Sequence, residues 1–175
     1  MRTESDSLGQ LNIPKTAYYG IHTQRALHNF PISSQPTHPE LIRAFLEIKQ
    51  AAAKTNATSG NLDRSVAKHI VSATKTLLNN PIDLSMFPIS DIQGGAGTSA
   101  NMNVNEVIAN VALEQTGRAR GDYTYINPND DVNMAQSTND TYPSAGKIAL
   151  LRLLDPLLLE LQNLIDALGN KACLL

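Results

Sequence analysis

Two short stretches of the chain concentrate uncharged side chains that can hydrogen-bond to a small anion. The first, residues 93–107, places three glycines among four residues and follows them directly with Thr98 and Ser99. The second, residues 136–140, reads Gln-Ser-Thr-Asn-Asp. Hydroxyl and amide groups can orient a small dianion and stabilise added negative charge without a compensating cation. These two stretches are therefore the candidate binding segments.

The glycines of the first stretch precede a helical pattern. Apolar residues at 104, 107, 108, 111 and 112 form the stripe of an amphipathic helix. Glycine permits positive φ, and the first turn of a helix has free N–H groups that attract anions. An alternative is that Thr98 and Ser99 only cap the helix after a glycine turn. A phosphate loop is excluded because no lysine follows the glycines.

The composition describes a globular chain without a strong electrostatic preference. Of the 175 residues, 42% are apolar and 17% are charged, and 14 basic against 16 acidic residues give a formal net charge of −2. This balance, without a Lys/Arg cluster, predicts neither nucleic acid nor a membrane as a partner. The single Cys173 and a polar N-terminus without an apolar signal region favour a cytoplasmic location.

No pattern of metal ligands occurs in the sequence. The four histidines lie far apart, and there is no H-x-x-x-H spacing and no carboxylate cluster. We therefore expect no metal and no cofactor. His22 and Arg25 lie near the N-terminal arm and could contact a ligand, although an ordinary surface position is the better interpretation.

Helical patterns dominate, which predicts a mainly α fold. Residues 2–8 and 16–19 could form a short strand pair, or an arm draped over the core. The predicted helices cover residues 23–29, from 41 to near Gly60, from the N-cap Asp63 to Asn79-Asn80-Pro81, and from the glycines to near Thr116-Gly117. Residues 122–143 are almost all polar and favour a surface loop, although so long a loop is uncommon in a compact domain unless it has a function.

From Ser144 the sequence becomes a leucine-rich helical pattern. Leucines and isoleucines at spacings of three and four, with further leucines outside that stripe, predict a helix that is apolar around much of its circumference. Such a helix needs neighbours on several sides, so we expect a homo-oligomer. Pro156 either lies inside this helix or restarts it with Asp155 as N-cap. The expected organisation is an N-terminal domain over 1–141 and the first part of a helical bundle over 142–175.

Three segments, in the same order, resemble the fumarase/aspartase superfamily. Residues 93–107, Gln-Gly-Gly-Ala-Gly-Thr-Ser-Ala-Asn-Met-Asn-Val-Asn-Glu-Val, resemble its first signature. Residues 127–143, from Asn-Pro-Asn-Asp to Gln-Ser-Thr-Asn-Asp-Thr-Tyr-Pro, resemble the second, and residues 8–26 resemble the N-terminal arm. The sequence Gly-Gly-Ala-Gly-Thr-Ser and the residue Asn127 are more similar to those of aspartate ammonia-lyases. Fumarases usually have Gly-Ser-Gly-Thr-Gln-Ser, and a histidine before Pro-Asn-Asp.

The resemblance implies a reaction, an assembly and a set of ligand contacts. The reaction is the reversible conversion of L-aspartate to fumarate and ammonia, so the expected ligand is a small dicarboxylate. The assembly is a homotetramer with a long helical bundle at its centre. By position, the resemblance assigns substrate binding to Thr98, Ser137, Thr138 and Asn139. Ser99 and Asn101 are weaker candidates that would organise the loop.

The resemblance also implies what is missing from these residues. Family members carry a downstream Thr-His element and a mobile Gly-Ser-Ser loop, whose serine is the expected general base, and neither occurs in residues 1–175. Asp131 also stands where the family commonly has histidine. We therefore expect the N-terminal portion of an aspartate ammonia-lyase, with no catalytic residue of its own and no activity alone. The alternatives are a non-catalytic, self-associating fragment and a portion of a fumarase.

Overall fold

The computed structural model describes residues 1–173 and consists mainly of helices. Its elements are β1 (Arg2–Asp6), β2 (Gly9–Ile13), α1 (Ile21–Asn29), α2 (Pro39–Thr58), α3 (Arg64–Leu78), a 3₁₀ turn (Leu84–Met86), α4 (Thr98–Gln115), a π-helical turn (Pro128–Val132) and α5 (Thr138–Ala172). The expected mainly α fold with a short strand-like arm is confirmed.

The N-terminal arm is a two-stranded antiparallel hairpin. Strands β1 and β2 pair from Arg2↔Ile13 to Asp6↔Gly9. The prediction of paired strands was right in kind, but the extended segment expected at 16–19 was wrong. The turn forms earlier because Gly9 adopts φ +114°, a conformation that favours glycine. The Arg2 guanidinium then donates to the carbonyls of Ala17 and Tyr19, at 2.7 and 2.6 Å, which fastens the arm to the following segment.

Helices α2 and α3 pack side by side against α4. Asp63 caps α3 as predicted, because its carboxylate accepts the N–H groups of Ser65 and Val66 at 2.8 and 3.2 Å. Phe45 and Ile70 are fully buried where these helices meet the rest of the core. Helix α4 runs through the middle of the molecule and contacts α1, α2, α3 and α5.

The polar segment 122–143, which the sequence predicts to be a surface loop, is partly helical in the structure. Asn127 caps a π-helical turn, its side chain accepting from the N–H groups of Asn129 and Asp130. Helix α5 then begins at Thr138, six residues before the start predicted at Ser144. The earlier start follows from Ser137, whose hydroxyl oxygen accepts the Asn139 N–H at 3.1 Å as an N-cap.

Helix α5 is continuous from Thr138 to Ala172 and contains Pro156 in its interior. The alternative in which Asp155 and Pro156 restart a helix was therefore wrong. The predicted domain boundary at 141/142 falls within this helix and stays a prediction. Only Thr141, Ala145 and Ala149 of α5 are buried. Over residues 1–173, no helix combines the length and apolar character needed to cross a membrane.

Candidate functional site

The glycine-rich turn places the N-terminus of α4 at the surface. Gly95 and Gly97 adopt φ of +68° and +86°, and Gly97 is the N-cap residue. The Ala100 N–H donates to Gln93 Oε1 at 2.7 Å, which closes the turn onto the helix. Within residues 1–173, the N–H groups of Thr98 and Ser99 have no hydrogen-bond acceptor. The first turn of α4 therefore offers two backbone donors and the Thr98 hydroxyl to a ligand.

The N-terminus of α5 supplies the second group of donors. The Ser137 hydroxyl oxygen accepts the Asn139 N–H, and the Thr138 hydroxyl oxygen accepts the Asn101 side-chain N–H at 3.1 Å. An N–H group cannot accept, so each hydroxyl is the acceptor in these bonds and retains its proton for donation. Two hydroxyl donors thus stand next to each other at the start of one helix.

Asn101 joins the two turns. Its side chain is 1% exposed and donates to Thr138 Oγ1 and to Asn133 Oδ1, both at 3.1 Å. Its side-chain oxygen, Oδ1, accepts a hydrogen bond from the Thr141 hydroxyl at 3.3 Å. The family resemblance makes Asn101 only a weak ligand candidate with an organising role, and these contacts support the organising role. The amide holds the first turn of α5 against the first turns of α4.

An open cleft of about 370 Å³ lies between the glycine-rich turn and the start of α5. Its lining residues are Asp91, Gln93, Gly95, Ala96, Gly97, Asn139, Tyr142 and Pro143. Of the four predicted ligand residues, Asn139 lines this cleft, whereas Thr98, Ser137 and Thr138 do not. Thr98, Ser137 and Asn139 are exposed and Thr138 is partly buried. Their assignment to substrate binding stays a prediction.

Lys49 is a residue of this region that the sequence reasoning missed. Its side chain is 0% exposed, and its amine donates to Asn133 Oδ1 at 2.7 Å. Burial lowers the pKa of Lys49 to about 7, because removal from water disfavours the charged form. Asn133 in turn donates to the Gln136 carbonyl at 3.0 Å, just before Ser137. A signal was available, since Lys49 follows Phe45 by four residues on the apolar face of α2.

A sequence model of the family described as Lyase matches residues 9–173. The chain belongs to this lyase family. It is 48% identical over 172 residues to the aspartate ammonia-lyase of Pseudomonas aeruginosa, covering 97% of this chain and 36% of that protein. It is 44% identical over 174 residues to the aspartate ammonia-lyase of Escherichia coli K12, covering 98% and 36%. The lyase chain therefore spans about a third of the length of these curated relatives.

Solved structures show the same similarity. A fumarate lyase:delta crystallin from Brucella melitensis superimposes with a TM-score of 0.83 at 50% sequence identity, covering 86% of this chain and 34% of that one. A class II fumarase from Schistosoma mansoni superimposes with a TM-score of 0.79 at 36% identity, covering 85% and 31%. The resemblance stated from the three sequence segments is therefore confirmed.

Two further candidates of the lyase chain, His22 and Arg25, do not join the two donor turns. Arg25 forms a two-pronged ion pair with Asp6, at 2.7 and 2.8 Å. His22 lines a separate cleft, and its backbone N–H donates to Glu106. Glu106 is fully buried and also accepts from the Thr23 hydroxyl at 2.6 Å. Burial raises the pKa of Glu106, while these donors act in the opposite direction.

Proposed function

We propose that this chain forms the carboxylate-binding part of an aspartate ammonia-lyase, which converts L-aspartate to fumarate and ammonia. The observation that carries the proposal is the meeting of two donor turns, tied by the Asn101–Thr138 hydrogen bond of 3.1 Å. Identities of 48% and 44% to aspartate ammonia-lyases support the choice of substrate.

The proposed chemistry uses the donors where negative charge develops. A base removes a proton from Cβ of aspartate, and the electron pair moves into the neighbouring carboxylate to give an aci-carboxylate. Thr98, Ser137 and Thr138 donate to the carboxylate oxygens and stabilise this intermediate more than the ground state. The Cα–N bond then breaks as the double bond forms, and ammonia leaves beside Asn139. The base itself is expected on the family's Gly-Ser-Ser loop, outside these residues.

The whole-protein assignment includes a homotetrameric assembly and a cytoplasmic location. The leucine-rich surface of α5 supports self-association, because its large apolar side chains are exposed from Leu150 onward. The proposed ligand is the dicarboxylate itself, without a metal or other cofactor. A non-catalytic, self-associating fragment is the second candidate function, and the same exposed helix favours it.

The test is a chimera in which residues 1–175 replace the matching segment of the Escherichia coli aspartate ammonia-lyase. We expect the chimera to release fumarate from aspartate, measured by ultraviolet absorbance. Thr98→Val, Ser137→Ala and Thr138→Val should each lower kcat/KM by roughly 10²-fold, as the loss of one oxyanion donor does elsewhere. The matched control is Thr55→Val, because Thr55 is an exposed threonine on α2 away from both turns. Variants that match this control would contradict the assignment.

Malate distinguishes the two enzyme assignments. The chimera should leave malate essentially unchanged, whereas a comparable rate of fumarate formation from malate would favour a fumarase. The 175-residue chain by itself should show no turnover above background, because the family's Gly-Ser-Ser loop, which carries the expected base, does not occur in residues 1–175. Fumarate formation proportional to the amount of purified chain would contradict this expectation and place a base among residues 1–175.

A further inference from the structure

The glycine-rich turn has few polar constraints of its own. Within residues 1–173, none of the backbone N–H groups of residues 94–97 donates a hydrogen bond. The turn is closed at its two ends only, by Gln93 accepting from Ala100 and by Gly97 accepting from Asn101 at 3.0 Å. The position of Thr98, the residue that follows the turn, therefore depends on what packs against residues 94–97.

One side of the turn rests on Phe30, the residue that follows α1. Its ring lies so close to Gly94 that an added Cβ there would stand 2.7 Å from Cε1 and 2.8 Å from Cε2 of the ring. Gly94 does not have a positive φ, so any side chain at this position is disfavoured by contact with the Phe30 ring and not by the backbone conformation. Phe30 thus closes the turn from the side of α1.

The other side of the turn rests on Tyr142, in the second turn of α5. A Cβ added at Gly97 would overlap three carbon atoms of the Tyr142 ring. The ring is itself supported by Phe45, which is 0% exposed in α2, with ring centroids 5.8 Å apart and planes tilted by 60°. Tyr142 therefore packs between Phe45 in the core and the backbone of the turn at Gly97. It also lines the cleft beside Asn139.

We propose that Phe30 and Tyr142 are positioning residues that hold the glycine-rich turn between α1 and α5. The two rings set where Thr98 stands relative to Ser137–Asn139, so they act on the ligand through the turn. This inference rests on the proposed function, which makes those residues the substrate donors. A displacement of about 1 Å in a donor can cost roughly 10²-fold in rate, so loss of either ring should matter although neither needs to bind substrate.

The first test uses the chain itself and needs no ligand. Phe30→Ala and Tyr142→Ala should each accelerate hydrogen exchange of the Ala100 amide at least tenfold, because its bond to Gln93 reports closure of the turn. Exchange of the Ile108 amide, deep in α4, should not change. Tyr142→Phe keeps the ring and should behave like the unmodified chain. Unchanged exchange at Ala100 in both alanine variants would overturn the proposal.

A pair of compensating substitutions tests the contact between Gly94 and Phe30 directly. Gly94→Ala should accelerate Ala100 exchange by overlapping with Phe30, and Phe30→Leu should relieve part of that effect. The double variant should therefore be less affected than the two single changes added together. Fully additive effects would mean that the Phe30 ring and Gly94 are not coupled, which contradicts the proposal that Phe30 holds the turn.

The second test uses the chimera and separates positioning from general stability. Tyr142→Ala should lower kcat/KM for aspartate about 10- to 100-fold, with rescue by Tyr142→Phe. The matched control is Tyr125→Ala, because Tyr125 packs on His69 and Arg118 away from the turn. Equal losses in both alanine variants would indicate a merely structural role and overturn the proposal. An inactive parent chimera would instead contradict the proposed function. The hydrogen-exchange measurements would still test whether Phe30 and Tyr142 hold the turn.

Discussion

Helices α4 and α5 both begin at the candidate site, yet they are held in place in opposite ways. Helix α4 has 18 residues and buries 13 of them, including polar residues such as Asn101 and Glu106. Helix α5 has 35 residues and buries only Thr141, Ala145 and Ala149. Every residue from 150 to 173 is exposed, although this part is rich in leucine.

The difference shows that composition alone does not decide burial. Polar groups of α4 can be buried because α1, the arm and α5 supply hydrogen-bond partners, as Gly20 and Thr23 do for Glu106. Leucines of α5 stay exposed because the described chain buries no residue of α5 after Ala149, although Arg152 still pairs with Glu47 of α2 at 2.7 Å. The donors at the start of α4 are therefore fixed by the chain's own core. Those of α5 are fixed by the contacts of its first turns with Asn101 and Phe45.

The largest expected effect concerns what covers α5. Fully burying an exposed leucine stabilises by about 1.5–3 kcal/mol, and Leu157, Leu161 and Leu164 are about half exposed, so covering all three is worth roughly 2–4.5 kcal/mol. We expect the chain to form a dimer or larger assembly, or to aggregate, through α5. Replacing Leu157, Leu161 and Leu164 by Gln should shift it to the monomer, measured by light scattering at tens of micromolar. The control is Leu8→Gln, because Leu8 is 77% exposed on the hairpin.

A well-folded monomer of 18.9 kDa, formed by the unmodified chain under these conditions, would contradict the association prediction. It would mean that the leucine surface of α5 is stable in water or folds back in solution. A triple variant that still associates would place the contact elsewhere on the molecule.

The next effect compares single apolar side chains of the two helices. Leu113 in α4 is 0% exposed, so Leu113→Ala should lower the free energy of unfolding by about 2–5 kcal/mol. Leu168 in α5 is 62% exposed, so Leu168→Ala should change it by less than about 0.5 kcal/mol. Both are measured by urea unfolding in the monomeric triple variant. Equal losses would show that α5 is as much a part of the cooperative core as α4.

The two helices also show how far sequence reasoning reaches. The mainly α fold, the cap Asp63 and the buried face of α4 follow from periodicity and turn chemistry, which are local. The apolar pattern predicts the start of α5 six residues late, because Thr138–Pro143 carries almost no apolar side chain and only the Ser137 cap marks the helix. The Lys49–Asn133 and Asn101–Thr138 contacts join residues 84 and 37 positions apart, respectively, so tertiary packing alone reveals them.

A smaller effect concerns Pro156, which α5 accommodates in its exposed part. Proline lacks the N–H that would bond to the carbonyl four residues earlier and its ring clashes with that turn, at a local cost of ~3 kcal/mol or more. Pro156→Ala should therefore slow hydrogen exchange of the amides at 157–168. The amides of 139–146, at the buried start of the same helix, serve as the internal control. Unchanged exchange at 157–168 would mean that the helix has already adjusted around the proline.

The smallest expected effect lies in the contact that ties α5 to the core. Lys49 has a folded-state pKa of about 7, against 10.5 for an ordinary lysine, because it is buried. The unfolded chain therefore binds more protons than the folded chain between these two values, and stability should rise as the pH increases through that window. From pH 7 to 9 the gain should be about 1–2 kcal/mol, after allowance for relaxation of the buried site. Below pH 7 the buried amine is charged in both states and this contribution is fully unfavourable.

Lys49→Met should remove the rise in stability with pH, measured as the free energy of unfolding in urea at each pH. Lys54→Met, at an exposed lysine on the same helix, should keep it. If Lys49→Met and the unmodified chain show the same slope, the amine does not titrate in this range. The link from α2 through Asn133 to the start of α5 would then be insensitive to pH.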